Sequence, residues 1–325
     1  MSENLPDQQD EDFPTHSFTR SYTSGRSLFG IIMTILAGAC LVIALIPLFA
    51  VIIYVIIKGF NRFNLDLFTQ LPPAAGLSGG GVGNAIVGTL IMIAIGGLIS
   101  VPIGVLAAVY LSEFSSGPVA RWIRFATNVL SGVPSIIAGI FAYGIIVLGP
   151  GFIPCSGSFS ALAGGVALAV LMLPIIIRTT DEALQIVPQD VRWASVGVGA
   201  SEYQTVLRVV LPAALPAILT GTTLAVARAA GETAPLIFTA LFTFFWPSGI
   251  CQPTPSLAVL VYNFATSPFA DQQELAWAAS LLLVALVLLT SIISRLVTSM
   301  SINSPIFDVI RKISQFALRR IVRGG

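Results

Sequence analysis

Apolar residues in this chain come in long unbroken runs, not in the two-residue or three-to-four-residue spacing of a half-buried strand or a soluble helix. Six runs, at 28–57, 84–111, 125–149, 161–177, 215–242 and 276–297, are apolar enough to cross a bilayer as helices, for which roughly 20 residues suffice. A seventh, 257–264, is too short to span and is expected in a loop or as a re-entrant piece. Pro72-Pro73, the glycines from Gly79 to Gly83, Gly149-Pro150-Gly151 and Trp246-Pro247-Ser248-Gly249 punctuate the connections. No internal repeat is visible. The pattern predicts an all-α integral membrane protein in three parts: a polar tail over 1–27, a six-helix transmembrane domain over 28–300, and a basic C-terminal stretch over 301–325.

Composition agrees with the pattern, since 55% of the residues are apolar and only 10% are charged, against about a quarter charged in soluble chains. The tail carries Asp7, Asp10, Glu11 and Asp12 and lacks the basic start and short apolar core of a secretory signal. It reads as a solvated segment, and the first apolar run is long enough to span with tilt. Three cysteines fit no zinc or C-x-x-C spacing, and His16, the one histidine, lies in the tail. No metal and no cofactor are expected.

Orientation follows from the basic residues. The N-terminal tail, the second and fourth loops with their margins, and the C-terminus hold 13 of the 16 Lys and Arg residues, while the opposite loops hold Lys58 and Arg62 and Arg228 falls within a span. The bias places both termini in the cytoplasm. At the C-terminus Ser304 can cap a helix with Pro305 in its first turn, and Ile306, Ile310, Ile313, Ala317 and Ile321 recur at helical spacing. A basic amphipathic helix on the anionic leaflet is expected there, the alternative being a frayed basic tail.

The longest cytoplasmic connection runs over 179–212. Its small residues, Ala194, Ser195, Gly197, Gly199 and Ala200, let another surface approach closely, and Pro212 marks where the next helix begins. Two short helices joined by a turn are expected, as a docking surface below the membrane. This loop resembles the signature of ABC importer membrane subunits, E-A-A, three residues, Gly, nine residues, I, any residue, L-P. Ala194, Gly199, Val209, Leu211 and Pro212 fall at its offsets, while Trp193 replaces the glutamate and Ser195 the second alanine. The resemblance implies a coupling helix seated in a cleft of an ATP-binding subunit, with Trp193, Ala194, Ser195, Gly199, Ala200, Leu211 and Pro212 at the contact. The Trp193 replacement removes any polar contact that the glutamate would make there. The chain has no Walker A pattern, because Lys58 and Lys312 are its only lysines and neither fits. ATP is therefore expected on a partner subunit.

Arg228 and Glu232 lie inside the fifth run at i,i+4 spacing, where charge is costly and commonly marks a polar pathway. One reading makes them a structural ion pair. The other makes them an anion step, with Arg supplying paired donors to an oxyanion and Glu232 accepting the proton that phosphate carries and sulfate lacks. Arg178, at the end of the fourth run, reads either as a positive-inside anchor or as a receiver of the anion. Gly231 and Pro235 flank Glu232 and can loosen the helix there. Cys155 and Cys251 fall in outer loops, where disulfides persist, and a bridge between them is the expectation; Cys40 lies within the first span.

Three segments resemble the PstA-type phosphate permease family: ARAAGETAPL at 227–236, GNAIVGTL at 83–90 and LPIIIRTTDE at 173–182. With the coupling loop, the likeness runs from about residue 83 through the last span. It implies the ABC type I importer permease fold and half of a translocation pathway for phosphate. It also implies partnership with a PstC-type permease, two copies of a PstB-type ATPase and a PstS-type periplasmic binding protein. A sulfate or molybdate permease is the nearest rival, sharing the loop but not the 227–236 string. An ATP-independent anion transporter or a membrane scaffold would need no coupling loop. No nucleophile–base or metal-ligand set points to an enzyme, and nothing points to nucleic acid.

Overall fold

The computed structural model describes residues 25–114, 117–152 and 154–302. The expected basic helix over 304–323 and most of the polar tail lie outside the described residues. By internal packing the chain divides into residues 1–54 and 55–325. In the first unit the described residues belong to helix α1 (Gly25–Phe60), which runs on across the division. Its large apolar side chains, Phe29, Ile35, Leu41 and Ile46 among them, are exposed, an apolar exterior suited to lipid. Pro47 sits within it, as is tolerated in membrane helices.

The secondary structure elements of the second unit are all helices among its described residues. In order come α2 (Leu65–Thr69), α3 (Gly83–Val109), α4 (Pro118–Gly132), α5 (Ser135–Ala142), α6 (Ala161–Gln185), α7 (Gln189–Gly197), α8 (Glu202–Thr205), α9 (Leu211–Ala230), α10 (Ala234–Thr239), α11 (Leu257–Ala265) and α12 (Ala270–Ile302). Helix α3 runs on through a π turn, Tyr110–Phe114, and α5 through another, Tyr143–Val147. Among the described residues five helices are long and apolar enough to cross a membrane, and α4 with α5 makes a sixth crossing if the bent pair is one span.

Several predicted boundaries move. The third run, expected as one span over 125–149, is instead α4 and α5 meeting at 109°. Pro134 bars Val133 from helical geometry, and Val133 is extended at ψ 129°. The fifth run, expected over 215–242, ends at Ala230. Residues 231–233 break the helix ahead of Pro235, and the rest forms α10 and the start of a loop. The short run 257–264 is not a loop; it is the nine-residue helix α11, capped by Ser256, buried through Leu257, Leu260 and Phe264 and too short to span. The fourth and sixth helices extend past their apolar runs, to Gln185 and back to Ala270. Their added polar residues find partners that hydropathy cannot register. Arg62 binds Asp271 at 2.6 Å and Glu274 at 2.8 Å at the start of α12. Hydrogen bonding to Glu274 raises the Arg62 guanidinium above its ordinary value, with burial opposing and Asp271 adding, so this clasp keeps its cation at any working pH.

Packing rests on small residues. Gly88, Met92, Gly96, Ser100, Gly104 and Ala108 recur every four positions as a buried stripe on α3, which packs along α6. Met92, Leu168, Met172, Ile176, Ala225 and Leu236 form the central core, and Leu67, Leu257, Leu260, Leu275 and Leu282 a second one. A third gathers Leu184, Val187, Val210, Ala214 and Ile218 beside the 186–210 loop.

The opposite loops are knitted by polar contacts. Ser160 caps α6 by accepting from the Ala163 N–H, and its own N–H donates to Thr239 O. The N–H groups of Ala161 and Leu162 donate to Gln252 O and Ile250 O. Buried Asn84 donates to Thr243 O and Phe245 O. Cys155 and Cys251 are joined by a disulfide across 96 residues. Cutting the chain between them should leave two pieces that co-migrate on a gel until reductant is added. Separation without reductant would show that the bridge is absent in the membrane.

Candidate functional site

A cavity of about 230 Å³ opens where the α4–α5 bend meets α6 and α9. Leu130, Ser131 and Val133 line it from the bend, Leu171, Pro174, Ile175, Arg178, Thr179 and Glu182 from α6, and Arg228 from α9. The bend that breaks the third span therefore forms one wall. Pro174 cannot donate to the carbonyl one turn earlier, which adds polarity to the α6 wall.

Each arginine of the cavity is steadied by a carboxylate four residues on. Arg178 Nε donates to Glu182 Oε1 at 3.1 Å. Arg228 Nε lies 3.6 Å from Glu232 Oε1, an ion pair longer than a hydrogen bond. The Arg228 side chain is 63% exposed and that of Glu232 only 16%. Glu232 does not line the cavity, whereas Glu182 does. The sequence reading placed Arg228, Glu232 and Arg178 on one path; the fold brings both arginines to one wall-lined space and holds Glu232 outside it. Ser131, Thr179 and Glu182 escaped that reading, because hydroxyl groups and an i,i+4 pair at a helix end are ordinary until a cavity gathers them. Two guanidinium groups, two hydroxyls and one carboxylate suit a small oxyanion that still carries a proton.

Thr179 reaches this cavity because α6 and α9 approach closely at Gly221. A Cβ built on Gly221 would lie 2.2 Å from Thr179 Oγ1 and 2.5 Å from its Cβ. The Thr179 hydroxyl donates to Ile175 O at 2.9 Å, which fixes its rotamer.

The second site is the loop between α6 and α9. Helix α7 buries none of its residues; Trp193 is 68% exposed and Val198 86%, with Val196, Tyr203 and Leu207 also exposed. Exposed large apolar side chains grouped along a loop are the usual mark of an interaction surface. Gly199 turns the chain at φ +92°, a conformation that glycine adopts without strain. Ser195 Oγ and Thr205 Oγ1 lie 2.9 Å apart across the turn, and Ser201 with Gln204 forms a capping box. The expected second short helix is not separate. Helix α8 continues through a π turn, Val206–Val210, into α9. The Leu211 N–H donates to Val206 O, five residues back, and this widened turn lets the helix pass Pro212, which has no N–H to give.

Residues 100–299 match the family model described as "Binding-protein-dependent transport system inner membrane component". The chain is 38% identical over 267 residues to "Phosphate transport system permease protein PstA" of Yersinia pestis, covering 82% of this chain and 88% of that protein. The Haemophilus influenzae protein of the same name is 41% identical over 256 residues, covering 78% and 88%. "Probable phosphate transport system permease protein PstA" of Methanocaldococcus jannaschii is 33% identical over 253 residues, covering 78% and 87%. Among solved structures, a bacterial alginate ABC transporter in complex with its alginate-bound periplasmic protein superposes with a TM-score of 0.60 at 12% identity, over 84% of this chain and 96% of that one. The inward-facing methionine ABC transporter gives 0.52 at 20% identity, over 67% and 96%. At those identities the likeness is one of fold.

Proposed function

We propose, from the premise that the chain belongs to the binding-protein-dependent transport inner membrane components and within them to the PstA-type phosphate permeases, how its residues carry phosphate across the inner membrane. It is a membrane permease subunit of an ATP-driven phosphate importer, with the ABC type I importer permease fold. A PstC-type permease completes the pathway, a PstS-type protein delivers phosphate from outside, and a PstB-type ATPase pair beneath the membrane binds and hydrolyses ATP. The bias of Lys and Arg supports placing both termini, and the α7 loop, on the cytoplasmic side. The exposed patch of Trp193, Val196 and Val198, with Ala194, Ser195, Gly199 and Ala200 about the turn, is the surface offered to the ATPase. Leu211 and Pro212 begin the helix that carries the motion upward.

One observation carries the substrate assignment: Arg178 and Arg228, from different helices, converge with Ser131 and Thr179 on one small cavity. The arginines take the charge of phosphate as it passes the α4–α5 bend, and the Ser131 and Thr179 hydroxyls, whose protons go to Thr127 O and Ile175 O, face it only as acceptors. Glu182, on the wall, accepts the phosphate proton and leaves fully ionised sulfate facing a carboxylate with nothing to donate. Glu232 holds the Arg228 guanidinium in place. Glu182→Gln is expected to weaken phosphate-over-sulfate discrimination about tenfold, the scale of one lost charged hydrogen bond. Glu232→Gln is expected to lower uptake of phosphate with that ratio preserved. Competition uptake in whole cells measures both. An unchanged ratio in Glu182→Gln would remove the proton-reading role.

A further inference from the structure

The carboxylate of Glu113 sits in the π turn that ends α3, with only 7% of its side chain exposed. Its partner is Arg192 of α7, 14% exposed, whose Nη1 donates to Glu113 Oε2. The same guanidinium donates through Nη2 to Leu184 O at 2.8 Å, in the last turn of α6. The next residue of the π turn, Phe114, stacks on Tyr203 of α8 with ring centroids 4.9 Å apart. Two adjacent positions at the end of α3 thus grip the coupling loop on both sides of the Gly199 turn, one by charge and one by an aromatic face.

Stability alone is a poor reason for such a pair, since a buried ion pair roughly breaks even against apolar residues of the same volume. What it does supply is a fixed register between parts that must move together. Helix α7 has no buried residue of its own, and Arg192 ties it to the end of α3 and the last turn of α6. Helix α3 packs along α6 by its small-residue stripe, and α6 carries Arg178, Thr179 and Glu182 to the cavity. A displacement of α7 is therefore handed to α3 and α6 as one body. We propose that Glu113 and Arg192 are positioning residues that form the strut through which the ATPase-driven motion of the coupling helix reaches the phosphate cavity.

The proposal rests on the phosphate-importer reading, and its test separates the two. The full importer is reconstituted in proteoliposomes, and phosphate imported per ATP hydrolysed is measured for wild type, Glu113→Gln, Glu113→Asp and Arg192→Gln. Glu113→Gln and Arg192→Gln are expected to keep the ATPase subunits bound and hydrolysing, and to lower the ratio about tenfold, within the range of inter-site coupling. Glu113→Asp is expected to recover part of it. The double variant Glu113→Gln/Arg192→Gln should be no worse than either single one. Because it buries no lone charge, it carries the test should a single variant fail to accumulate. A second readout needs no substrate: on a Cys40→Ser background, maleimide labelling of Ser131→Cys changes when nucleotide binds, and Glu113→Gln abolishes that change. A wild-type ratio and a wild-type labelling change in Glu113→Gln overturn the strut. So does loss of the ATPase subunits from that variant, which would make the pair a docking contact. Failure of the wild-type importer to move phosphate, with the labelling change still dependent on Glu113, overturns the substrate assignment and leaves the strut standing.

Discussion

Arg228→Ala lowers phosphate uptake by about one to two orders of magnitude, because it removes charge-assisted hydrogen bonds of roughly 1.5–3 kcal/mol. The measurement is uptake of labelled phosphate by phosphate-starved cells lacking the chain and supplied with wild type or variant, with sulfate and molybdate as competitors. The variant should still reach the membrane and bind its partners. Its side chain is largely exposed to the cavity, and its ion pair with Glu232, at 3.6 Å, contributes little to the fold. Arg228→Lys should recover only part of the rate, since an ammonium lacks the planar pair of donors. Uptake at the wild-type rate in Arg228→Ala would make Arg228 and Glu232 a structural pair. Full competition by sulfate in wild-type cells would sink the substrate assignment and leave the permease class intact.

The second large effect is on assembly. Gly221→Ala should destabilise the bundle by about 1–3 kcal/mol, the usual cost of overpacking a close contact, although alanine is the better helix former by nearly 1 kcal/mol. The new Cβ would lie 2.5 Å from the Thr179 Cβ and not only from its hydroxyl, so Thr179→Ala cannot make room for it. Helices α6 and α9 must part, and Thr179 and Arg178 shift with them. Gly97→Ala is the control, because among the described residues nothing outside its own helix backbone lies within 4 Å of a Cβ there. Thermal unfolding in detergent and membrane abundance should fall for Gly221→Ala and stay level or rise for Gly97→Ala. Equal behaviour of the two would mean that α6 and α9 are held less tightly than their geometry implies.

Both predictions turn on features that the sequence displays unequally. Arg228 stands out in a run of apolar residues because charge in lipid is costly, so a single chain suffices to mark it. Gly221 is one of 29 glycines, and only the Thr179 side chain facing it makes it special. Glu113 and Arg192 lie 79 residues apart, at the end of a span and in a loop, and no spacing rule joins them. Trp193 in place of the signature glutamate was visible at once, whereas the carboxylate that does engage the loop from within the chain, that of Glu113, was not.

By itself the sequence determined the solvent of this protein and therefore its class. Long apolar runs must be helices in lipid, because no water is present there to satisfy the backbone, and the offsets of Gly199, Leu211 and Pro212 marked the loop that we propose meets the ATPase. The tertiary structure decided where those runs bend and what they gather. It set the 109° angle at Val133-Pro134, ended the fifth helix at Ala230, and carried it unbroken past Pro212 by a π turn. It also placed Arg178, Glu182 and Arg228 around one cavity whose lining does not include Glu232. The physical reason is the difference between the two kinds of energy involved. Burial in lipid is a sum over residues and can be read along a chain. Helix bends, close approaches and ion pairs depend on which surfaces meet, and that is fixed only when distant segments pack.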